Sequence, residues 1–265
     1  MQKITLATKH QKKSWIEPHL RPLGYYLTET DEFDTDSLGM FSGEVTRTLP
    51  ASEAALIKAK QACLLGNTRL GLGSEGSFGG GPYPGLINWN TELLCLFDQK
   101  TDSAIYAIAS GPIHTASLKL DKGISVESVR QSLSEFCGQK WVLTHESQIY
   151  KSLTLDDLLL CIQSRKIEAG VIEPDLRAMN SPGRQQMIAR AATDLATRLS
   201  SHCPKCDAIN YVAKRTVSGL SCGLCCAPTL QIKAHVYHCD TCGANEEKPA
   251  EQKSADPTFC PSCNP

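Results

Sequence analysis

The chain lacks an excess of charge of either sign. Its 265 residues carry 27 lysines and arginines against 28 aspartates and glutamates, a formal charge of −1. That balance gives no bulk electrostatic argument for binding nucleic acid or an anionic membrane. No apolar run approaches the ~20 residues that a membrane helix needs. The opening MQKITLATKHQKK has no apolar stretch behind its charged end. A secretory leader is therefore not expected, and a cytoplasmic protein is. Neither a G-x-S-x-G elbow nor a Walker sequence occurs. Aromatic residues are sparse at 6%, whereas the hydrophobic fraction of 41% is ordinary for a globular fold.

Cysteine is abundant, and it is unevenly spread. Nine of 13 cysteines fall in residues 203–265, eight of them in the C-x-x-C pairs Cys203/Cys206, Cys222/Cys225, Cys239/Cys242 and Cys260/Cys263. In a chain expected to remain in a reducing compartment, such pairs read as zinc ligands rather than disulfides. Two intervening residues let the chain turn so that both sulfurs reach one ion at ~2.3 Å. Taken in order, the first two pairs are 15 residues apart and the last two 17. Both gaps suit a zinc ribbon in which a hairpin returns the second pair to the ion. Two consecutive ribbons with two structural zinc ions are the expectation. Crossed pairing, with the first and third pairs sharing an ion, is the alternative. Cys226 reads as a spare, and His235 and His238 as exposed or packing residues. The tail holds six basic and six acidic side chains, and each four-thiolate zinc centre adds about two negative charges. It is a poor phosphate binder, so nucleic acid is not the expected partner and a protein is.

Residues 1–200 read as an α/β body with a mixed sheet, divisible into a core over 1–110 and an extension over 111–200. Residues 201–265 form the tail. Strands are expected from Ile4 and from Tyr25, and a hairpin over LLCLFD and SAIYAIAS. Helices are expected at Trp15–Leu23, from Pro50, from Ser125, from Thr154 and from Ser181-Pro182. Cys63, Cys95, Cys137 and Cys161 read as buried small hydrophobes.

Three body segments carry candidate chemistry. ATKHQKK lies at a strand-to-helix junction, where free N–H groups and Lys9, Lys12 and Lys13 suit an anion. DTDSLGMFSGE offers Asp34, Asp36 and Glu44, hard oxygen ligands of the kind Mg2+ takes, and Lys58 and Lys60 follow on a helix. GLGSEGSFGGG places Glu75 at a strand end among glycines that permit close backbone approach. Glu173, Asp175, Arg177 and Arg184 gather at a helix start, as a structural ion-pair network or a second anion site. His114 follows a strand end and is a further candidate to face the site.

The order of these segments resembles the inosine/xanthosine triphosphatase family of nucleoside triphosphate pyrophosphatases. That family opens on S/T-x-N-x-x-K, where this chain has Thr8, His10 and Lys13, with His for Asn. Its G-E element and N-A-x-x-K-A helix correspond to Gly43-Glu44 and to Ala54-Ala55 with Lys58-Ala59, with Ala for Asn. A G-x-x-x-E-G-G strand end corresponds to Gly71–Glu75, followed by Gly76 and Ser77. The resemblance covers roughly residues 3–110 and implies an inosine triphosphatase-like fold. It implies a nucleotide site at Thr8, Lys9, His10, Lys13, Lys58 and Ser77, with Asp36, Glu44 and Glu75 holding Mg2+ or the attacking water. Over nearly its whole length the chain also resembles a bacterial family of unassigned activity. The shared features are Thr8-Lys9-His10, Asp34–Asp36, Ser74–Phe78, Arg177–Pro182 and the cysteine tail. The leading expectation is a Mg2+-dependent nucleotide phosphoanhydride hydrolase acting on a nucleotide or another phosphorylated small molecule. The rival is a non-catalytic adaptor that binds another protein through its ribbons.

Overall fold

The computed structural model describes residues 1–32 and 49–265. The chain divides into two compact units, Met1–Leu195 and Ala196–Pro265, with the division inside the last helix.

In the first unit a five-stranded mixed sheet has the order β2-β1-β3-β4-β5. The strands are β1 (Gln2–Ala7), β2 (Tyr25–Thr30), β3 (Leu70–Phe78), β4 (Trp89–Asp98) and β5 (Ser103–Pro112). β1 runs parallel to β2 and β3, while β3, β4 and β5 form an antiparallel meander. The crossovers are α1 (Lys13–Leu20) and α2 (Ala51–Gly66). Ile4, Leu6, Leu27, Leu72 and Leu94 are buried, as expected of strands covered on both faces.

The glycines of β3 explain how α2 lies so close to the sheet. A Cβ at Gly71 would stand 2.0 Å from the Ala59 carbonyl oxygen, and one at Gly73 1.8 Å from that of Ala55. The sequence suggested that these glycines open the backbone to a ligand. Their room is taken instead by a helix whose facing residues are alanines. The opposite face of β3 carries Ser74 and Gly76. There α5 (Pro182–Ser200) packs, and the Thr193 hydroxyl meets His19 of α1 at 3.2 Å.

A second, wholly antiparallel sheet has the order β6-β9-β7-β8. Its strands are β6 (Leu118–Leu120), β7 (Trp141–His145), β8 (Gln148–Leu153) and β9 (Gly170–Pro174). With α3 (Val126–Leu133) and α4 (Leu155–Arg165) it encloses a core of Trp141, Leu143, Leu158, Ile162 and Ile172. Thr154 begins α4 with a complete capping box, its hydroxyl accepting from the Asp157 N–H and the Asp157 carboxylate from the Thr154 N–H.

The second unit contains one three-stranded antiparallel sheet, β10 (Val212–Ser218), β11 (Ile232–His238) and β12 (Asn245–Pro249). Two consecutive ribbons, each with its own hairpin, were expected; a single sheet serves both cysteine clusters. Among the described residues, no helix is long and apolar enough to cross a membrane.

Candidate functional site

The cysteines assemble as two tetrads, Cys203, Cys206, Cys239 and Cys242, and Cys222, Cys225, Cys260 and Cys263. The pairing is crossed, and the sequential pairing read from the gaps is corrected. Strand direction dictates the result. β10 leaves the first C-x-x-C turn and delivers the chain to the second at the far end of the sheet. β11 returns it to the third, beside the first, and β12 carries it back towards the fourth. An antiparallel sheet of three strands can bring together only alternate turns. Within each tetrad the close Sγ–Sγ separations are 3.7 and 3.6 Å at the first site and 3.9 and 3.6 Å at the second. A tetrahedron of sulfurs ~2.3 Å from zinc has edges of about 3.8 Å, so the donor sets fit that ion. A zinc ion held by four thiolates would have no open coordination position, the arrangement of structural rather than catalytic centres.

The turns repeat one backbone design. The carbonyl of the first cysteine accepts from the N–H four residues on, at Asp207, Cys226 and Gly243. Those three residues have positive φ, 61°, 59° and 70°. Cys226 therefore sits where the turn needs a left-handed residue and takes no place in the tetrad. The N–H of Cys242, with that of Thr241, draws the Cys239 thiol down to about 6, towards the thiolate that zinc requires. His238 spends its Nδ1 on the Asn245 side-chain oxygen at 2.8 Å and is not a ligand.

In the α/β unit, a cavity of about 680 Å³ opens where β1 ends. Thr8, Lys9, His10 and Lys12 from the β1–α1 turn, Lys58 from α2, and Ser74 and Glu75 from β3 line one side. Thr144, Ile149, Lys151 and Glu173 of the second sheet line another, with Asp175, Arg177 and Arg184 between. The carboxyl ends of parallel strands are where open α/β sheets bind ligands.

The charged groups are held by specific partners. Lys58 forms a buried ion pair with Glu75. β3 continues to Phe78, so Glu75 is interior to a strand and buried, not at an exposed strand end. Arg184 Nε donates to Glu92 Oε1 at 2.6 Å, and both side chains are inaccessible (1% and 0%). Its Nη1 donates to the Leu176 carbonyl at 2.7 Å, and Asn90 Nδ2 donates to Glu92 at 3.2 Å. Gly76 makes room for this pair, because a Cβ there would lie 2.4 Å from Arg184 Nη2. Asp175 accepts from Arg177 Nε at 2.9 Å and from Asn180 Nδ2 at 2.8 Å, and these bonds hold its carboxyl below the usual range against burial that raises it.

Lys12 differs from these. It is 4% exposed, and among the described residues its one hydrogen-bond partner is the neutral Ser74 hydroxyl, at 2.8 Å. Burial, with Arg184 as the next contribution, brings its ammonium down to about 7. Burial followed by Lys12, Arg184, Arg177 and Lys58 brings His10 down to about 3, so that imidazole is neutral at physiological pH.

The cavity thus gathers Thr8, Lys9, His10, Lys58 and Glu75 of the expected site. Lys13 and Ser77 are not among its lining residues. Lys13 is the first residue of α1, where its ammonium pairs with Glu17 at 3.3 Å and its N–H donates to Glu29. Asp34, Asp36 and Glu44 lie outside the described residues. Arg177 and Arg184 form ion pairs with Asp175 and Glu92, the structural alternative of the two expected, and both also line the cavity. Sequence reasoning missed Glu92, which stands just before the apolar run 93–97 of β4, and read Lys12 only as part of a basic first turn. His114 stacks on Phe136, with ring centroids 4.7 Å apart, and lines a separate hollow. Of the body cysteines, Cys63 and Cys95 are buried, which pushes them up to about 11 and 12. Cys161 is half-buried, and Cys137 is exposed rather than buried.

No curated protein matches the chain. No solved structure matches it either. Residues 58–265 match the family described as "Domain of unknown function (DUF6671)", a span that starts at Lys58 and takes in Ser74, Glu75, Glu92, Arg184 and both tetrads. By that match, which covers more than half of its length, the chain belongs to the DUF6671 family.

Proposed function

We propose that the cavity binds a phosphorylated small molecule, a nucleoside phosphate in the first place, and that the α/β unit hydrolyses its phosphoanhydride. The observation that carries this reading is Lys12, a buried ammonium lining the cavity whose hydrogen-bond partner among the described residues is the neutral Ser74 hydroxyl, the nearby Glu75 and Glu92 being engaged by Lys58 and Arg184. Such a charge is expensive unless an anion compensates it. Lys58, Arg177 and Arg184 add positive potential around the same space, and stabilisation of phosphate charge is where most catalysis of phosphoryl transfer arises. The resemblance to the nucleoside triphosphate pyrophosphatases supports the same reading through Thr8, His10 and Lys58. Mg2+ would be held by Glu75 together with Asp36 and Glu44. It would supply charge neutralisation on the phosphates, while this chain's own residues bind and orient them. The eight zinc-binding thiols suit a reducing compartment such as the cytoplasm.

The test is a panel of nucleoside mono-, di- and triphosphates assayed with Mg2+ for release of phosphate or pyrophosphate. Release from at least one is expected. Absence of both turnover and any ligand-induced rise in melting temperature across the panel would overturn the reading.

The electrostatics add a signed expectation. A bound phosphate stabilises the protonated Lys12, so binding takes up a proton at pH values above about 7. Between pH 7.5 and 9 the ligand is already fully ionised. Affinity should fall there by up to about tenfold per pH unit, measured by titration calorimetry in buffers of different ionisation enthalpy. A flat affinity over that range would remove Lys12 from the binding site.

One observation favours a second reading, in which the zinc-bearing unit docks a protein partner. Leu224, inside the second C-x-x-C turn, and Phe259, next to Cys260, are both exposed, at 73% and 62%. Substituting both by serine should leave nucleotide turnover intact and abolish capture of the partner.

A further inference from the structure

Lys12 and Ser74 come from opposite ends of the first half of the unit, the β1–α1 turn and the middle of β3. The fold nonetheless sets Nζ 2.8 Å from Oγ. Both side chains are 4% exposed and both line the cavity. That separation is the hydrogen-bond reach required between a nucleophile and its base. A lysine kept only for packing would not be held beside a lone hydroxyl, because an apolar side chain fills such a place at less cost.

Resting on the reading above for the nature of the electrophile, we infer that Ser74 is a nucleophile, Lys12 its general base, and that the ligand's phosphoryl group passes through a serine phosphoester. The ammonium that binding favours first gives up its proton to solvent, and the neutral amine of Lys12 then accepts the Ser74 hydroxyl proton as Oγ forms a bond to phosphorus. The anhydride P–O bond breaks, and the leaving phosphate takes its electron pair. The ammonium then releases its proton to solvent. In the second half Lys12 takes a proton from a water that attacks phosphorus. The Oγ–P bond breaks, and the proton returns from Lys12 to Ser74. Net consumption is one water per anhydride.

The surroundings suit this exchange. Arg184 of α5 and Lys58 of α2 repel a proton on Lys12, Glu92 of β4 and Glu75 of β3 retain one, and neutral His10 shares its turn. Burial and Arg184 prevail, and Lys12 titrates near 7. A desolvated lysine among cations is the recognised way to obtain an amine base at neutral pH.

The experiment uses the full-length, zinc-loaded protein and a fluorophosphonate, an electrophilic phosphorus reagent in which fluoride is the leaving group. Intact mass and peptide mapping should show one adduct, on Ser74. Its rate should rise with pH to a plateau above about 8, with a midpoint near 7. Ser74→Ala should abolish the adduct, and Lys12→Arg, which keeps the charge but not the base, should slow it by about 10²-fold or more. No adduct on Ser74, or a rate without an inflection near pH 7, overturns the inference on the unmodified protein, whatever the variants do to folding. Turnover of a nucleotide by Ser74→Ala at the wild-type rate also overturns it, while leaving the hydrolase reading in place. Labelling of Ser74 in a protein that turns over no nucleotide does the reverse.

Discussion

Chelation should unfold residues 196–265 while the melting of residues 1–195 is unchanged, and the metal released should amount to two zinc ions per chain. Structural zinc contributes about 10–16 kcal/mol in small zinc-binding peptides. That exceeds the net stability of most domains, about 5–15 kcal/mol, and this unit has little else to hold it. Its described core around the first tetrad consists of Tyr211, Ala244 and the ligand cysteines Cys203 and Cys239 themselves. Far-ultraviolet circular dichroism with and without chelator, together with metal analysis, reads both halves of the expectation. The crossed pairing adds a sharper one. Cys203→Ala and Cys239→Ala act on the same ion, so the double variant should lose one zinc, as each single variant does. Cys203→Ala with Cys222→Ala should lose two. Sequential pairing requires the opposite pattern.

Removal of Glu92 is expected to be the most damaging single change in the α/β unit. Glu92→Leu removes the carboxylate that accepts from Arg184 Nε and frees the Asn90 amide from one partner. Breaking a buried pair from one side costs about 3–5 kcal/mol, chiefly because the remaining charge is uncompensated. For a unit of this size that corresponds to a fall of roughly 6–20 °C in melting temperature. Combining Glu92→Leu with Arg184→Leu should recover much of the loss, since a hydrophobic replacement for a whole buried pair is often close to neutral. The recovery will be incomplete to the extent that the Leu176 carbonyl loses the Arg184 N–H. Differential scanning calorimetry of the three variants measures the cycle. If the double variant melts no higher than Glu92→Leu, the cost is one of packing rather than of charge.

What the sequence disclosed follows from how local each feature is. The start of α4 at Thr154 and the β4–β5 hairpin are written in neighbouring residues, and the structure has them. β8 was not legible because its exposure is irregular, although its partner β7 precedes it by only a short turn; β9 pairs with strands far back along the chain. Pairing of the tetrads was left open for a physical reason: the spacings satisfy either arrangement, and only the direction of β10, β11 and β12 decides. Glu75 was found as a site residue but placed at a strand end, because the glycines around it look like a loop until α2 is laid against them. Lys12 was read only with its basic turn because its hydrogen-bond partner, Ser74, lies 62 positions along the chain. A local reading has no access to that neighbour.

The interleaved tetrads also fix an order of assembly during synthesis. Neither ion has its four ligands until Cys242 has left the ribosome, because the first tetrad spans Cys203 to Cys242 and the second opens inside it at Cys222. The second then waits for Cys263, two residues from the end of this sequence. At about 5–20 residues per second, the 38 residues from Cys225 to Cys263 leave the Cys222/Cys225 thiols half-ligated for roughly 2–8 s. A stop anywhere between Cys242 and Cys260 would spare the first ion and forfeit the second, whereas no stop yields the second alone.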